Sequence, residues 1–111
     1  MTSTPLPGRP VRGSDTGRPI MALLDLLGRR WTLRVLWELR DDARPTFRQL
    51  QQRCDRASSS VLADRLRELG DAGLVEHAGD GYALTSQGKS LVKQLARLDQ
   101  WAAEWRPHGS A

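Results

Sequence analysis

At 111 residues and 12.4 kDa the chain has room for one compact domain and some tail, because domains mostly run to roughly 100–150 residues; a multidomain enzyme is excluded. Apolar residues at 39% and charged residues at 27% supply a core with little to spare, a shortage that a second copy of the chain would relieve. The net charge of +4 and a pI near 10.2 favour a polyanionic partner, and all the cations except Lys89 and Lys93 are arginine, through phosphate recognition or through a GC-rich genome.

Residues 1–19 hold Pro5, Pro7, Pro10 and Pro19, three glycines and almost nothing apolar, which predicts a disordered arm. Its Arg9, Arg12 and Arg18 outnumber Asp15, so the arm either brushes a nucleic-acid backbone or is a plain flexible terminus. A first helix is expected over 20–27, where Ile20, Leu23, Leu24 and Leu27 recur at helical spacing and Gly28 is placed to close it in a left-handed conformation. A second, over 31–40, is expected to turn Leu33, Leu36, Trp37 and Leu39 inward before the break at residues 41–45. Thr46 and Gln49 fit a capping box ahead of a short helix with Phe47, Leu50 and Cys54 on one buried stripe.

Ser58, Ser59 and Ser60 are alternative caps for a fourth helix over about 58–72, with Leu62, Leu66 and Leu69 on one face. The opposite face carries Ser60, Asp64 and Arg67, with Arg65 and Glu68 on its flanks. Two short strands, 74–78 and 82–85, flank a tight Asp-Gly turn. A last helix runs to about residue 105, and its stripe of Leu91, Leu95, Leu98, Ala102 and Trp105 is more than one hairpin can cover. The domain thus spans 20–106, followed by a tail at 107–111.

Helices, a hairpin and a further long helix in this order describe a mostly α fold with a small β-hairpin: a winged helix-turn-helix with a C-terminal dimerisation helix, its fourth helix in the major groove. Charge sharpens the reading. Arg44, Arg48, Arg53, Arg56, Arg65 and Arg67 face only Asp55 and Asp64 across residues 44–67. The stretches 26–33 (LLGRRWTL), 46–50 (TFRQL), 58–75 (SSSVLADRLRELGDAGLV) and 82–88 (YALTSQG) together resemble the HxlR-type winged helix-turn-helix regulators, relatives of the MarR and PadR groups. The resemblance spans about residues 19–105 and implies a homodimeric bacterial transcription factor with one wing and one recognition helix per subunit. Two departures stand out. Electrophile-sensing members carry a cysteine before the proline that opens the first helix, where this chain has Arg18; and the wing, His77 to Tyr82, is shorter and less basic than is usual in the family.

The candidate DNA-binding residues are Arg30, Arg48, Arg56, Ser58, Ser59, Ser60, Asp64, Arg65 and Arg67, with His77 and Tyr82 on the wing. Arg65 and Arg67 have the fork for guanine edges or phosphate, or else pair with Asp64, Glu68 or Asp71 along the helix. The serines either cap the helix or touch phosphate. Arg48, Arg53 and Arg56 flank the turn, suited to phosphate contacts that position without specifying. Ile20, Leu23, Leu95, Leu98, Trp101 and Trp105 are expected at a dimer interface, or, with Trp31 or Trp37, around a pocket for a flat aromatic effector.

Cys54 has no partner for an internal disulfide and falls on a buried stripe, which suits an inert core thiol. His77, His108 and Cys54 lack zinc spacing, and no catalytic motif is present, so neither a cofactor nor an enzyme is expected. No apolar run approaches ~18 residues, and Arg29-Arg30 is followed by Arg34, Glu38 and Arg40, unlike a twin-arginine leader; a cytoplasmic protein with no membrane partner is expected. The partners expected are a second copy and a double-stranded operator with an inverted repeat. The alternative is a small-molecule-binding or protein-interaction module on the same winged fold, with an aromatic-lined interfacial pocket.

Overall fold

The computed structural model describes residues 3–108, so part of the expected arm (1 and 2) and part of the expected tail (109–111) lie outside the described residues. The elements are α1 (Pro19–Leu27), α2 (Thr32–Glu38), α3 (Phe47–Arg53), α4 (Ser59–Asp71), β1 (Val75–Ala78), β2 (Gly81–Leu84) and α5 (Ser86–Glu104). The strands pair antiparallel, from Val75 opposite Leu84 to Ala78 opposite Gly81. One core gathers Leu26, Val35, Leu36, Leu39, Leu50, Leu62, Leu69, Leu84 and Val92 from all five helices and the hairpin. Burial of these side chains is the main force holding α3 and α4 against the rest.

Local chemistry explains most boundaries. Pro19 opens α1, where its missing N–H costs nothing. Thr46 and Gln49 form a reciprocal capping box on α3, the Gln49 N–H donating to Thr46 Oγ1 at 3.2 Å and the Thr46 N–H to Gln49 Oε1 at 2.9 Å. Gly73, at φ +74°, follows the α4 cap residue Ala72 and lets the Leu74 N–H reach back to the Leu69 carbonyl at 2.9 Å. Thr85 caps α5 by accepting from the Gly88 N–H at 3.1 Å while its hydroxyl donates to the Gly73 carbonyl at 2.6 Å. One side chain therefore ties the hairpin's end to the end of α4.

Several expectations need correction. Gly28 is right-handed at φ −75°; the left-handed residue between α1 and α2 is Trp31, at φ +74°. α2 is shorter than expected, and its inward face is Thr32, Val35, Leu36 and Leu39. That set is the i, i+3, i+4, i+7 stripe of a helix, which leaves Leu33 exposed and Trp37 half-buried on the neighbouring face. In α1 the buried residues are Ala22 and Leu26, while Ile20 and Leu24 point outward.

The hairpin turn is Gly79-Asp80, with Gly79 at φ +64°, and Gly81 already belongs to β2. A Cβ at Gly81 would stand 2.0 Å from the Arg44 carbonyl oxygen. The strand runs that close to residues 44 and 45 because the Tyr82 N–H donates to the Pro45 carbonyl at 2.9 Å.

The N-terminal segment is not a free arm where it is described. Thr4 and Pro5 are buried, and Pro5, Leu6 and Pro7 border a cavity of about 140 Å³ together with Leu23, Leu26, Ala72 and Leu74. The Gly8 N–H donates to the Gly17 carbonyl, Val11 and Ser14 form a small bridge, and the Arg12 N–H donates to Asp25 at 3.1 Å. Composition argues for disorder only when a segment has nothing to bury; here four residues find an apolar seat between α1 and the end of α4.

Candidate nucleic-acid interface

The junction of α3 and α4 is a tight turn, with Asp55 at φ +53° and Arg56 at φ +62°. Left-handed non-glycine residues carry strain that their surroundings must hold. Arg34 of α2 supplies much of that support: its guanidinium pairs with Glu38 at 2.8 Å and Asp55 at 3.1 Å and donates to the Arg53 carbonyl at 2.7 Å. The Gln51 amide donates to the Ala57 carbonyl at 2.8 Å. α4 therefore leaves the turn at a fixed angle, the condition for a helix that must enter a groove in register.

Ser58 caps α4, its hydroxyl accepting from the Val61 N–H at 3.2 Å. Ser59, Ser60, Ala63, Asp64 and Arg67 are exposed along the outer face. Arg30 beside it, Arg48 on α3 and Arg56 in the turn are exposed as well, and among the described residues none of the three has an ion-pair partner. Arg67 is held only loosely, 3.9 Å from Asp64 and 3.7 Å from Asp71. The outer face of α4 thus keeps Ser60, Asp64 and Arg67 together, and Arg30, Arg48 and Arg56 are exposed on the α1–α2 loop, on α3 and in the α3–α4 turn.

Arg65 belongs elsewhere. Glu68, expected on the wet flank of α4, is 2% exposed, and its carboxylate lies between Arg65, at 2.9 Å, and Arg29 from the α1–α2 loop, which donates to it through Nη1. The Arg65 and Arg29 side chains are 16% and 19% exposed. The Arg65 contact lies off the hydrogen-bond direction, leaving Nε and Glu68 Oε1 joined by charge alone. Arg65 also donates to the Arg30 carbonyl at 3.4 Å. Of the two expectations for Arg65, these contacts fit the pairing with Glu68, which joins α4 to the loop that carries Arg30.

The signal was in the angular spacing, since Arg65 sits about 60° from Leu62 at roughly 100° per residue, closer to the apolar stripe than to the outer face. Arg53 is likewise occupied, donating to the Glu38 carbonyl at 2.8 Å and pairing with Asp41 at 3.2 Å. Arg29, Arg34 and Glu68 were invisible as a set because their partners lie 21 and 39 residues away.

On the wing, His77 and Tyr82 face each other across the strands with ring centroids 4.5 Å apart. His77 is exposed and Tyr82 half-buried, and the exposed charges of the wing are the acidic Glu76 and Asp80. At the other end of the molecule, Leu98, Trp101 and Trp105 of α5 are 61%, 60% and 57% exposed, and the two indoles stack at 5.6 Å. Leu33, Trp37, Leu95, Leu98 and Ala102 line an apolar groove of about 440 Å³ between α2 and α5. Leu23, expected at an interface, is half-buried and lines a cavity shared with Pro5, Leu6 and Pro7.

The family model described as HxlR-like helix-turn-helix matches residues 26–110. The chain belongs to that family. HxlR-type proteins are DNA-binding transcriptional regulators rather than a class of enzyme, and the winged helix-turn-helix described above is their architecture. The chain is 27% identical over 90 residues to the uncharacterized HTH-type transcriptional regulator MJ0925 of Methanocaldococcus jannaschii, covering 78% of this chain and 84% of that one.

An HTH-type regulator of Mycobacterium tuberculosis, Rv3095, is 34% identical over 98 residues, 82% of this chain and 61% of the relative. Among solved structures, a possible HxlR family transcriptional factor from Thermoplasma volcanium superposes with a TM-score of 0.69 at 31% identity, covering 84% and 92% of the two chains. Quinone-bound YodB of Bacillus subtilis superposes at 0.71 with 28% identity, covering 78% and 97%. Among the described residues no group of His, Cys, Asp or Glu is arranged to hold a metal, and no helix is long and apolar enough to cross a membrane.

Proposed function

We propose that this HxlR-type regulator acts as a homodimer that lays α4 of each subunit into successive major grooves of an inverted-repeat operator, with half-sites about one turn, ~34 Å, apart. The observation that carries the reading is the outer face of α4, with Ser60, Asp64 and Arg67 exposed together, while Arg30, Arg48 and Arg56 are exposed on the adjoining loop, helix and turn. Arg67 reads a base edge or grips phosphate, the three peripheral arginines hold the backbone, and Ser59 and Ser60 meet phosphate at the helix N-terminus. Ser58 is engaged as the cap, Arg65 supports the frame, and the wing with His77 and Tyr82, which carries Glu76 and Asp80 but no Lys or Arg, contributes less. Repression by occlusion of the promoter is the mode that follows from such binding.

The second copy is placed on α5, where Leu98, Trp101 and Trp105 would leave water. The groove between α2 and α5 lies beside that surface, and its apolar lining with Trp37 suits a flat aromatic effector; the quinone held by YodB supports that class of ligand. With Arg18 before Pro19, such an effector acts without a thiol at that position.

Selection of bound sequences from a random duplex library tests the reading. Recovery of an inverted repeat, with affinity falling steeply as salt rises because counterions are released, is the expected result. Arg67→Ala should then weaken binding by ~1–3 kcal/mol, and Leu98→Glu should shift sedimentation from dimer to monomer. Salt-insensitive binding of small molecules without any duplex preference would instead favour a ligand-binding module on the same fold.

A further inference from the structure

The residues that hold the N-terminal segment against the domain end at the same carboxylate that faces Arg67. Thr4 is buried, and its Oγ1 donates to Asp71 Oδ2 at 2.8 Å. That same oxygen is 3.7 Å from Arg67 Nη1, beyond hydrogen-bond reach. Pro5, Leu6 and Pro7 follow Thr4 along a cavity that they share with α1 and with Ala72 and Leu74 beyond α4, and the Ser3 carbonyl accepts from Arg29 at 3.4 Å.

We propose that residues 3–7 are a strap whose Thr4 hydroxyl holds the Asp71 carboxylate away from Arg67, making Thr4 and Asp71 positioning residues for DNA binding. The inference rests on the reading of Arg67 as a DNA contact. Asp71 and Arg67 are four residues apart on α4, a spacing that brings side chains together on a helix surface. A carboxylate with no other tether there closes into a forked pair with a guanidinium, and an arginine so engaged is withdrawn from phosphate and base. Thr4 limits this by occupying Oδ2, the oxygen that lies 3.7 Å from Arg67 Nη1, with its own hydrogen bond. Lifting the strap releases Asp71, which captures Arg67, so whatever displaces residues 3–7 lowers operator affinity without touching the interface.

The test uses the full chain and the duplex recovered by selection, with affinity read by fluorescence anisotropy. Thr4→Val is expected to weaken binding about two- to fivefold, the range of an exposed ion pair gained or lost, while Thr4→Ser, which keeps the donor, binds like the parent. In the Asp71→Asn background the same Thr4→Val change should have no further effect. The Arg67 side-chain N–H resonances of the free protein should shift in Thr4→Val and not in Thr4→Ser, a readout that loss of stability alone would not order in this way. Thr4→Ala takes the place of Thr4→Val if that variant does not fold.

Unchanged affinity in Thr4→Val while Arg67→Ala binds weakly would overturn the strap's role and leave the interface standing. A penalty that persists in the Asp71→Asn background would overturn it as well, since the effect would then bypass Asp71. If Arg67→Ala binds like the parent, the reading of the interface at Arg67 falls, and the inference falls with it.

Discussion

Glu68→Gln is the most informative single change in the frame behind α4. The native carboxylate is almost fully buried between Arg29 and Arg65, whose side chains keep 19% and 16% of their exposure. Glutamine preserves the shape and one acceptor but removes the charge, leaving two guanidiniums crowded together without a counterion. Breaking a fully buried pair costs about 3–5 kcal/mol; because both arginines retain a path to water, we expect about 2–3 kcal/mol here. For a domain of this size each kcal/mol shifts Tm by roughly 4–8 °C, so the melting point should fall by about 10 °C or more.

Paired urea and thermal unfolding, followed by circular dichroism, measure the change directly. A companion triple variant, Arg29→Met with Glu68→Leu and Arg65→Met, removes the charges together and should recover most of the loss, since apolar replacement of a whole buried cluster is often neutral or stabilising. A loss below about 0.5 kcal/mol for Glu68→Gln, within the range of ordinary surface changes, would refute the argument, because the arginines would then already be solvated.

Three further outcomes are expected. Cys54 is fully buried and burial pushes its thiol above the ordinary value despite the opposing charge of Arg34, so thiol reagents at neutral pH should label it only at the rate of unfolding; rapid labelling of the native protein would contradict this. The Ala43 N–H, and next Arg53, hold the Asp41 carboxyl below its usual value of 3.8. A lowered folded-state value means that the stabilisation is present above pH 3.8 and is lost as pH falls through the lower value in the folded state, so Asp41→Asn should flatten that acid limb in urea melts taken across pH. Gly81→Ala drives a Cβ to within 2.0 Å of the Arg44 carbonyl oxygen; it should destabilise by about 1–3 kcal/mol and speed amide exchange at Tyr82, whose N–H bonds to Pro45.

Local chemistry was legible wherever a signal and its consequence lie within one turn of chain. The capping box at Thr46 and Gln49, the Ser58 cap, the leucine stripe of α4 and the unsatisfied stripe of α5 all depend on spacing of four residues or fewer. Local pattern misleads where two helical faces are both apolar. In α2 the larger side chains Leu33 and Trp37 drew the inward face toward themselves, whereas the core took Thr32 and Val35, because the helix must turn toward Leu26, Leu50 and Leu62 at once. Gly28 carried the expected left-handed turn by residue type, yet the chain places it at Trp31, three residues on.

By itself, the order of amphipathic segments and the arginine excess over residues 44–67 determined a winged helix-turn-helix with one basic helix pair, since hydrophobic period and turn chemistry are properties of neighbouring residues. Which arginines remain available was settled only by tertiary contacts. Arg53 and Arg65 are spent on Glu38, Asp41 and Glu68, while Arg30, Arg48, Arg56 and Arg67 stay at the surface. Charge is written residue by residue along a chain, but whether a given charge meets a partner or water depends on segments brought together from 39 or even 67 residues away.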